Sequence, residues 1–305
     1  MATSLGTLIE TTRHALSGFD ANRESVTALA SPLSASATTV SIEEATATSG
    51  AGVGVAEIDF ELVRVKAVNP TDSTLTLYGF GRGYRGTTAA AHLAGVEVRF
   101  NPSWPAFSVA REINGVLQEV YPMIYAVAEH STTIPSDYGA VDLPVAAVGV
   151  ISVWIEDDSR ADQWLREDRW SYNPDSTETA TGKGLRIFGS HIAGTNVRIK
   201  YATRPTPFNL AGATTQDFAT VTGLDERIAD LIQLGVAMRM APFIDVAKLP
   251  HLSAEAREMG EAKRELTGAN AARLLRGLFQ LRLDQEAAVL RREHPIRAHY
   301  TGVKI

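Results

Sequence analysis

The stretch from Gly81 to Val98, GRGYRGTTAAAHLAGVEV, constrains this chain more than any other. Gly81, Gly83, Gly86 and Gly95 allow the positive φ values that tight turns need, and β-prone runs flank them at 75–78 and 96–100. The pattern predicts a strand end, a structured loop and a return strand from Val96 into Phe100. The loop residues singled out are Gly81, Arg82, Gly83, Tyr84, Gly86, Thr87, His92 and Gly95. Glycine-rich loops also cradle phosphate, but no GxxxxGK[ST] occurs. Gly81, Gly83 and Gly86 match GxGxxG only as letters, because no amphipathic helix follows to offer its N-terminus to a pyrophosphate.

At 305 residues and 45% apolar composition, the chain has material for two or three small domains, each with a core. No apolar run reaches the roughly eighteen residues of a membrane span, and the first residues lack a basic region followed by an apolar core. Cysteine is absent, which removes disulfides, thiolate metal sites and cysteine nucleophiles together. A net charge of −6 argues against a protein that wraps nucleic acid over its whole surface. Charge is uneven: residues 40–63 hold Glu43, Glu44, Glu57, Asp59 and Glu61 without Lys or Arg, while the far end is rich in arginine. The seven histidines form no HExxH, and no GxSxG marks a serine nucleophile. Glu43 with Glu44 and Asp157 with Asp158 are adjacent, so in a strand their carboxylates face opposite ways, which is unsuited to a glycosidase pair. His92 is expected to bond to loop backbone rather than bind metal or act as a base.

Leu5, Leu8, Ile9, Thr12 and Leu16 fall at helical spacing ahead of Gly18. From Ser25 to Asn101 β-rich runs appear at 38–42, 58–68, 74–78 and 96–100, and the alternation of 58–66 predicts one strand with a buried and a wet face. Asn101-Pro102-Ser103-Trp104-Pro105 punctuates the next boundary, with Ser103 as the expected cap. Phe107, Ile113, Val116, Leu117, Val120 and Ile124 then predict a helix over 105–129, bent at Pro122. Strands are expected at 148–155, 170–172, 185–188 and 197–201. Leu224, Ile228, Leu231, Ile232 and Met238 mark a second long helix, and a third is expected after Pro250, capped by Ser253 and running through Val289. Past Pro295 the helix cannot continue.

The run RGY, GT, AAAH, AG and V over 82–96 resembles a segment that closes small β-modules in neck, tail and fibre proteins of tailed bacteriophages. Over 104–305 the order helix, β insert, helix, helix, tail resembles the head-to-tail adaptor, or connector, proteins of those phages. DRWSY at 168–172 and VRIKYATRPTP at 197–207 are similar to strands that such inserts carry. The resemblance implies an α+β fold: an antiparallel helical bundle with a β insertion between the first two long helices, preceded by a small all-β N-terminal module. The implied segments are an N-terminal helix at 1–20, a β-module at 21–103, a bundle at 104–292 with its insertion at about 134–208, and an extended tail at 293–305. Many adaptors are shorter and lack a counterpart of residues 1–103, so the N-terminal module would be an addition.

The resemblance further implies a non-enzymatic virion protein without cofactor, made in the host cytoplasm and placed at the head-tail interface. Its partners would be copies of itself in a ring of about twelve, the portal, the next neck or tail ring, and double-stranded DNA passing through the lumen without sequence-specific binding. No membrane is involved. Pro295, Ile296, Arg297, His299, Tyr300, Val303, Lys304 and Ile305 would form the arm that docks on the portal. The alternative is a tail or fibre component binding a receptor or glycan, since Trp154, Trp164, Trp170 and Tyr172 crowd one insert and exposed aromatics suit sugar stacking.

Overall fold

The computed structural model describes residues 2–17, 25–44, 54–136, 139–157, 163–189, 191–211, 215–240 and 268–297. These residues form 13 strands in three antiparallel sheets and five α-helices. The chain divides into two compact units, one of Met1–Val116, Pro207–Val221 and Ala229–Phe279, the other of Leu117–Thr206, Thr222–Ile228 and Gln280–Ile305. The expected antiparallel helical bundle is therefore corrected: among the described residues sheet dominates, and only the last helix is longer than 14 residues. Helical periodicity reports an apolar stripe and not what covers it, and a sheet can cover it as well as another helix.

In the first unit, β1 (Ser25–Ala28), β2 (Thr39–Ser41), β3 (Gly54–Ile58), β4 (Glu61–Asn69), β5 (Thr74–Leu77) and β6 (Glu97–Phe100) form one sheet in the order β1-β6-β3-β4-β5-β2. A bridge between Leu29 and Ile42 joins its first and last strands, with Ala30 N–H donating to Ser41 O at 3.0 Å and Glu43 N–H to Ala28 O at 2.9 Å. The sheet thus curls barrel-like around Val40, Ile58, Val63, Val65, Leu75 and Val98, all buried. The single strand expected over 58–66 is a hairpin instead: Asp59 at φ 52° turns the chain, and Ile58 pairs with Glu61.

Helix α1 (Leu5–Ser17) starts on the Ser4 hydroxyl, which accepts Thr7 N–H at 3.1 Å, and buries Leu5, Leu8, Ile9 and Leu16. Helix α2 (Ala106–Glu119) ends ten residues short of the expected boundary. Pro122 disfavours helical backbone at Tyr121, and residues beyond it enter a strand. A carboxylate 49 residues upstream, that of Glu57 on β3, accepts the Ala106 N–H at 2.8 Å. After α3 (Phe218–Thr222) comes α4 (Ala229–Met240), which packs on α1 with Gln233 donating to Thr11 O at 3.1 Å. Gly235 permits the approach of α4 to its neighbours, since a Cβ there would lie 2.6 Å from Val116 and 2.8 Å from Phe279.

The second unit holds a four-stranded sheet, β10-β9-β13-β7, of β7 (Ala126–Thr133), β9 (Gly149–Glu156), β10 (Trp164–Glu167) and β13 (Asn196–Thr203). A three-stranded sheet, β11-β12-β8, joins β8 (Val141–Asp142), β11 (Trp170–Asn173) and β12 (Gly184–Ile187). Their shared core contains Val150, Val153, Trp170, Leu185, Val197 and Ile199. Helix α5 (Gly268–Glu293) buries Leu283, Ala287 and Leu290 in its second half, and Tyr125 OH donates to His294 O at 2.6 Å just beyond it. The expected start of this helix, after Pro250 with Ser253 as cap, and the stop at Gly18 lie outside the described residues.

Arg13 of α1 pairs with Glu57, and both side chains are under 10% exposed. Removing one partner of such a pair strands a buried charge, at a cost of about 3–5 kcal/mol. Arg13→Met should lose stability on that scale in urea unfolding, and Arg13→Met with Glu57→Gln should recover part of it.

Candidate functional site

The glycine-rich loop is built around one carboxylate. Glu61, at the first position of β4, is 2% exposed, and each of its oxygens accepts from a guanidinium nitrogen of Arg82, at 2.7 and 2.8 Å. His92 Nε2 lies 2.9 Å from Glu61 Oε2, and its Nδ1 lies 2.8 Å from Asp59 Oδ2. The N–H groups of Gly83 and Ala90 donate to the same carboxylate at 2.9 and 3.1 Å. Arg82 also donates to the carbonyls of Ser34, Ala37 and Ala90, so it ties the β1-β2 connection and the far side of its own loop to one acid.

Burial alone would raise the Glu61 carboxyl, but the bonds from Arg82, His92, Gly83 and Ala90 bring it down to about 2. Burial alone would lower His92, but its bonds to Asp59 and Glu61 carry it up to about 9. With both ring nitrogens engaged by carboxylates, His92 is a fixed imidazolium and not a base. The expectation that its ring bonds to backbone is corrected: its main chain pairs with Leu33, while the ring serves the acids. Glu57 and Glu61, which the sequence places in an acidic stretch, are buried and paired rather than solvated. Burial pushes Glu57 up, ahead of the lowering effects of Arg13 and the Ala106 N–H.

The remaining loop residues shape the backbone. Gly81 accepts Arg64 N–H at 2.7 Å, and a Cβ there would sit 2.7 Å from Arg64 O. Gly83 has φ 60° and would bring a Cβ 2.8 Å from Thr87 O. Tyr84–Gly86 is a 3-10 turn, and buried Thr87 accepts Leu62 N–H at 3.1 Å and donates to Tyr84 O at 2.9 Å. Gly95 N–H donates to Leu29 O at 2.7 Å as the chain enters β6. On the outside of the loop Phe80 and Leu93 are 66% and 75% exposed.

Of the expected arm, Pro295, Ile296 and Arg297 are described. Arg297 N–H donates to Val150 O at 2.9 Å, and its guanidinium lies 3.1 Å from Asp168. The arm therefore begins against β9 of its own chain, with Ile296 over Gly149. His299, Tyr300, Val303, Lys304 and Ile305 lie outside the described residues. Among the tryptophans proposed for sugar stacking, Trp170 is 1% exposed and Tyr172 OH donates to Ala147 O at 2.9 Å. Trp154 bonds Ser152 Oγ at 3.2 Å and Trp164 carries Arg198 at 4.2 Å from its ring centre. An open cleft of about 420 Å³ includes Glu10, Arg13, Glu57, Glu97 and Arg99, whose charges pair with one another. No group of three or more His, Cys, Asp or Glu among the described residues is arranged to hold a metal. No helix among them is long and apolar enough to cross a membrane.

The two shifts give the first unit a defined pH window. Glu61, with its folded pKa depressed from 4.5 to about 2, contributes stability present above 4.5 and lost as pH falls toward 2. His92, raised from 6.5 to about 9, contributes stability present below 6.5 and lost as pH rises through 9. Thermal unfolding should show its maximum between pH 4.5 and 6.5 from this pair. His92→Gln should flatten the alkaline limb, and Gly83→Val should lower the whole profile by more than about 1 kcal/mol through its positive φ.

A family model described as SU10 adaptor protein matches residues 87–277, which is more than half of the chain and runs from Thr87 in the loop into α5. No curated protein matches the chain.

Proposed function

This chain belongs to the SU10 adaptor protein family, and from that membership we propose that it forms a ring joining the portal to the tail and extending the DNA channel. Membership itself gives the chain the role of a structural adaptor of a phage particle, interacting with other phage structural proteins. The match over 87–277 is the observation that carries the finer reading. It takes in the end of the loop, β6, the whole two-sheet region and the entry to α5.

A closed ring needs two different, complementary faces on each subunit, repeated about twelve times. Many copies of a modest contact then hold the assembly by avidity. The lumen stays near neutral, because a strongly basic wall would retain the genome through phosphate contacts. The work is mechanical: in the loop, the charged side chains of Arg82, Glu61 and His92 are spent on one another, which suits a rigid docking element and not an acid or base. The glycan reading loses Trp170, which is buried in the core, while Trp154, Trp164 and Tyr172 stay partly exposed. Residues beyond Arg297 reach the portal, whereas Arg297 itself anchors the arm to its own subunit.

Native mass spectrometry of the protein with portal tests this reading. A monomer that joins the portal in about twelve copies is the expected result; a trimer that ignores the portal would replace it with a fibre or receptor-binding role. Deleting residues 298 to 305 should weaken portal binding at least tenfold while leaving the melting temperature unchanged. Unchanged binding would remove the arm from the portal contact.

A further inference from the structure

Outside the buried ion cluster, the loop carries an arginine surrounded by rings. The guanidinium of Arg64 lies 4.8 Å from the ring centre of Tyr78 and 5.7 Å from those of Phe80 and Tyr84. Tyr78 and Phe80 stack at 5.4 Å, and Arg85 lies 5.6 Å from the other contact of the group, the Tyr84 ring. Neither Arg64 nor Arg85 forms an ion pair among the described residues. Phe80, 66% exposed, leaves an apolar face beside these cations. Tyrosine and arginine around a central apolar anchor is the composition of a binding hot spot.

The same sheet holds the complement at its other end. Along β5, Thr74 pairs with Ser41 and Asn69, whereas Tyr78, just past the strand, donates to Arg64 O at 3.2 Å. At about 3.4 Å per residue these points are about 14 Å apart along the strand. Ile42 N–H donates to Ser73 O at 2.9 Å, so Glu43 and Glu44 emerge beyond the Thr74 end, where their N–H groups donate to Ala28 O at 2.9 Å and Thr27 Oγ1 at 3.2 Å. Glu43 and Glu44 are exposed and pair with no cation among the described residues.

We infer that the Arg64-Tyr78-Phe80-Tyr84 patch docks on the Glu43-Glu44 end of the same sheet in a second copy of this chain. The contact is head-to-tail, as a closed ring requires, and it rests on the ring reading above. Charge complementarity selects this occupant: two guanidinium groups without an ion pair among the described residues meet two carboxylates likewise unpaired there, with Phe80 covered between them. Arg64, Tyr78, Phe80, Tyr84, Glu43 and Glu44 all precede residue 87, so the family match assigns them nothing.

Charge exchange tests it. Arg64→Glu with Arg85→Glu, and separately Glu43→Lys with Glu44→Lys, should each reduce ring formation on portal at least tenfold. Mixing the two variants, or combining all four substitutions in one chain, should restore rings, because each reversed patch then meets a reversed partner. Phe80→Ser, at an exposed position, should reduce assembly with an unchanged melting temperature, which separates docking from folding. Rings that form equally well from every variant would overturn this interface while leaving the ring reading intact. Wild-type protein that joins portal only as single copies would overturn the ring reading, and this interface with it.

Discussion

The carboxylate of Glu61, shut away from solvent between an arginine, an imidazolium and two backbone N–H groups, is the constraint from which the glycine-rich loop takes its shape. Four residues earlier on the same hairpin, Glu57 sends a second buried carboxylate toward Arg13 and the start of α2. One turn at Asp59 thus distributes three acids: one to the helices, one to the loop, and Asp59 itself to the far side of His92. Desolvating such groups is expensive, and their pairing is a weak argument for raw stability. What it supplies is a single geometry, because any displaced loop would leave a buried charge without its partner.

A loop held this way reaches its partner already ordered. Association through it would then cost little further conformational entropy, and the exposed rings and guanidinium groups would meet a neighbour as a fixed surface. That would suit the proposed ring, in which one contact is repeated around an assembly and errors in one subunit propagate to the next. The first residues of the arm follow the same logic, with Arg297 fastened to Val150 and Asp168 before the chain proceeds.

Much of this was legible in local sequence, and the failures share one cause. The strands at 39–41, 74–77 and 97–100, the face of α1 and the loop between β5 and β6 all follow from residue pattern and glycine placement. The hairpin at Asp59 was hidden because Ile58, Phe60 and Leu62 keep a period of two straight through the turn. The pattern predicts helix through residue 129 because Ile124 extends the stripe of α2, taking in the first half of β7. Its strand identity is fixed by pairing along its whole length with β13, about 70 residues away, which no local window contains. The glycines mark the loop in the sequence, but nothing local marks Glu61 as its anchor. Arg82 and His92 were visible, and an unpaired-looking acid run at 57–61 was the signal that such cations would be answered there.

Membership of the family makes this chain a structural adaptor of a phage particle, and we propose that it sits where head meets tail. Cryo-electron microscopy of intact virions tests it most directly, with the two units fitted separately into density. The account predicts a closed ring of this chain between portal and tail, with the loop of each subunit against its neighbour. Density for the chain at the tail tip or along fibres, and none at the neck, would contradict it.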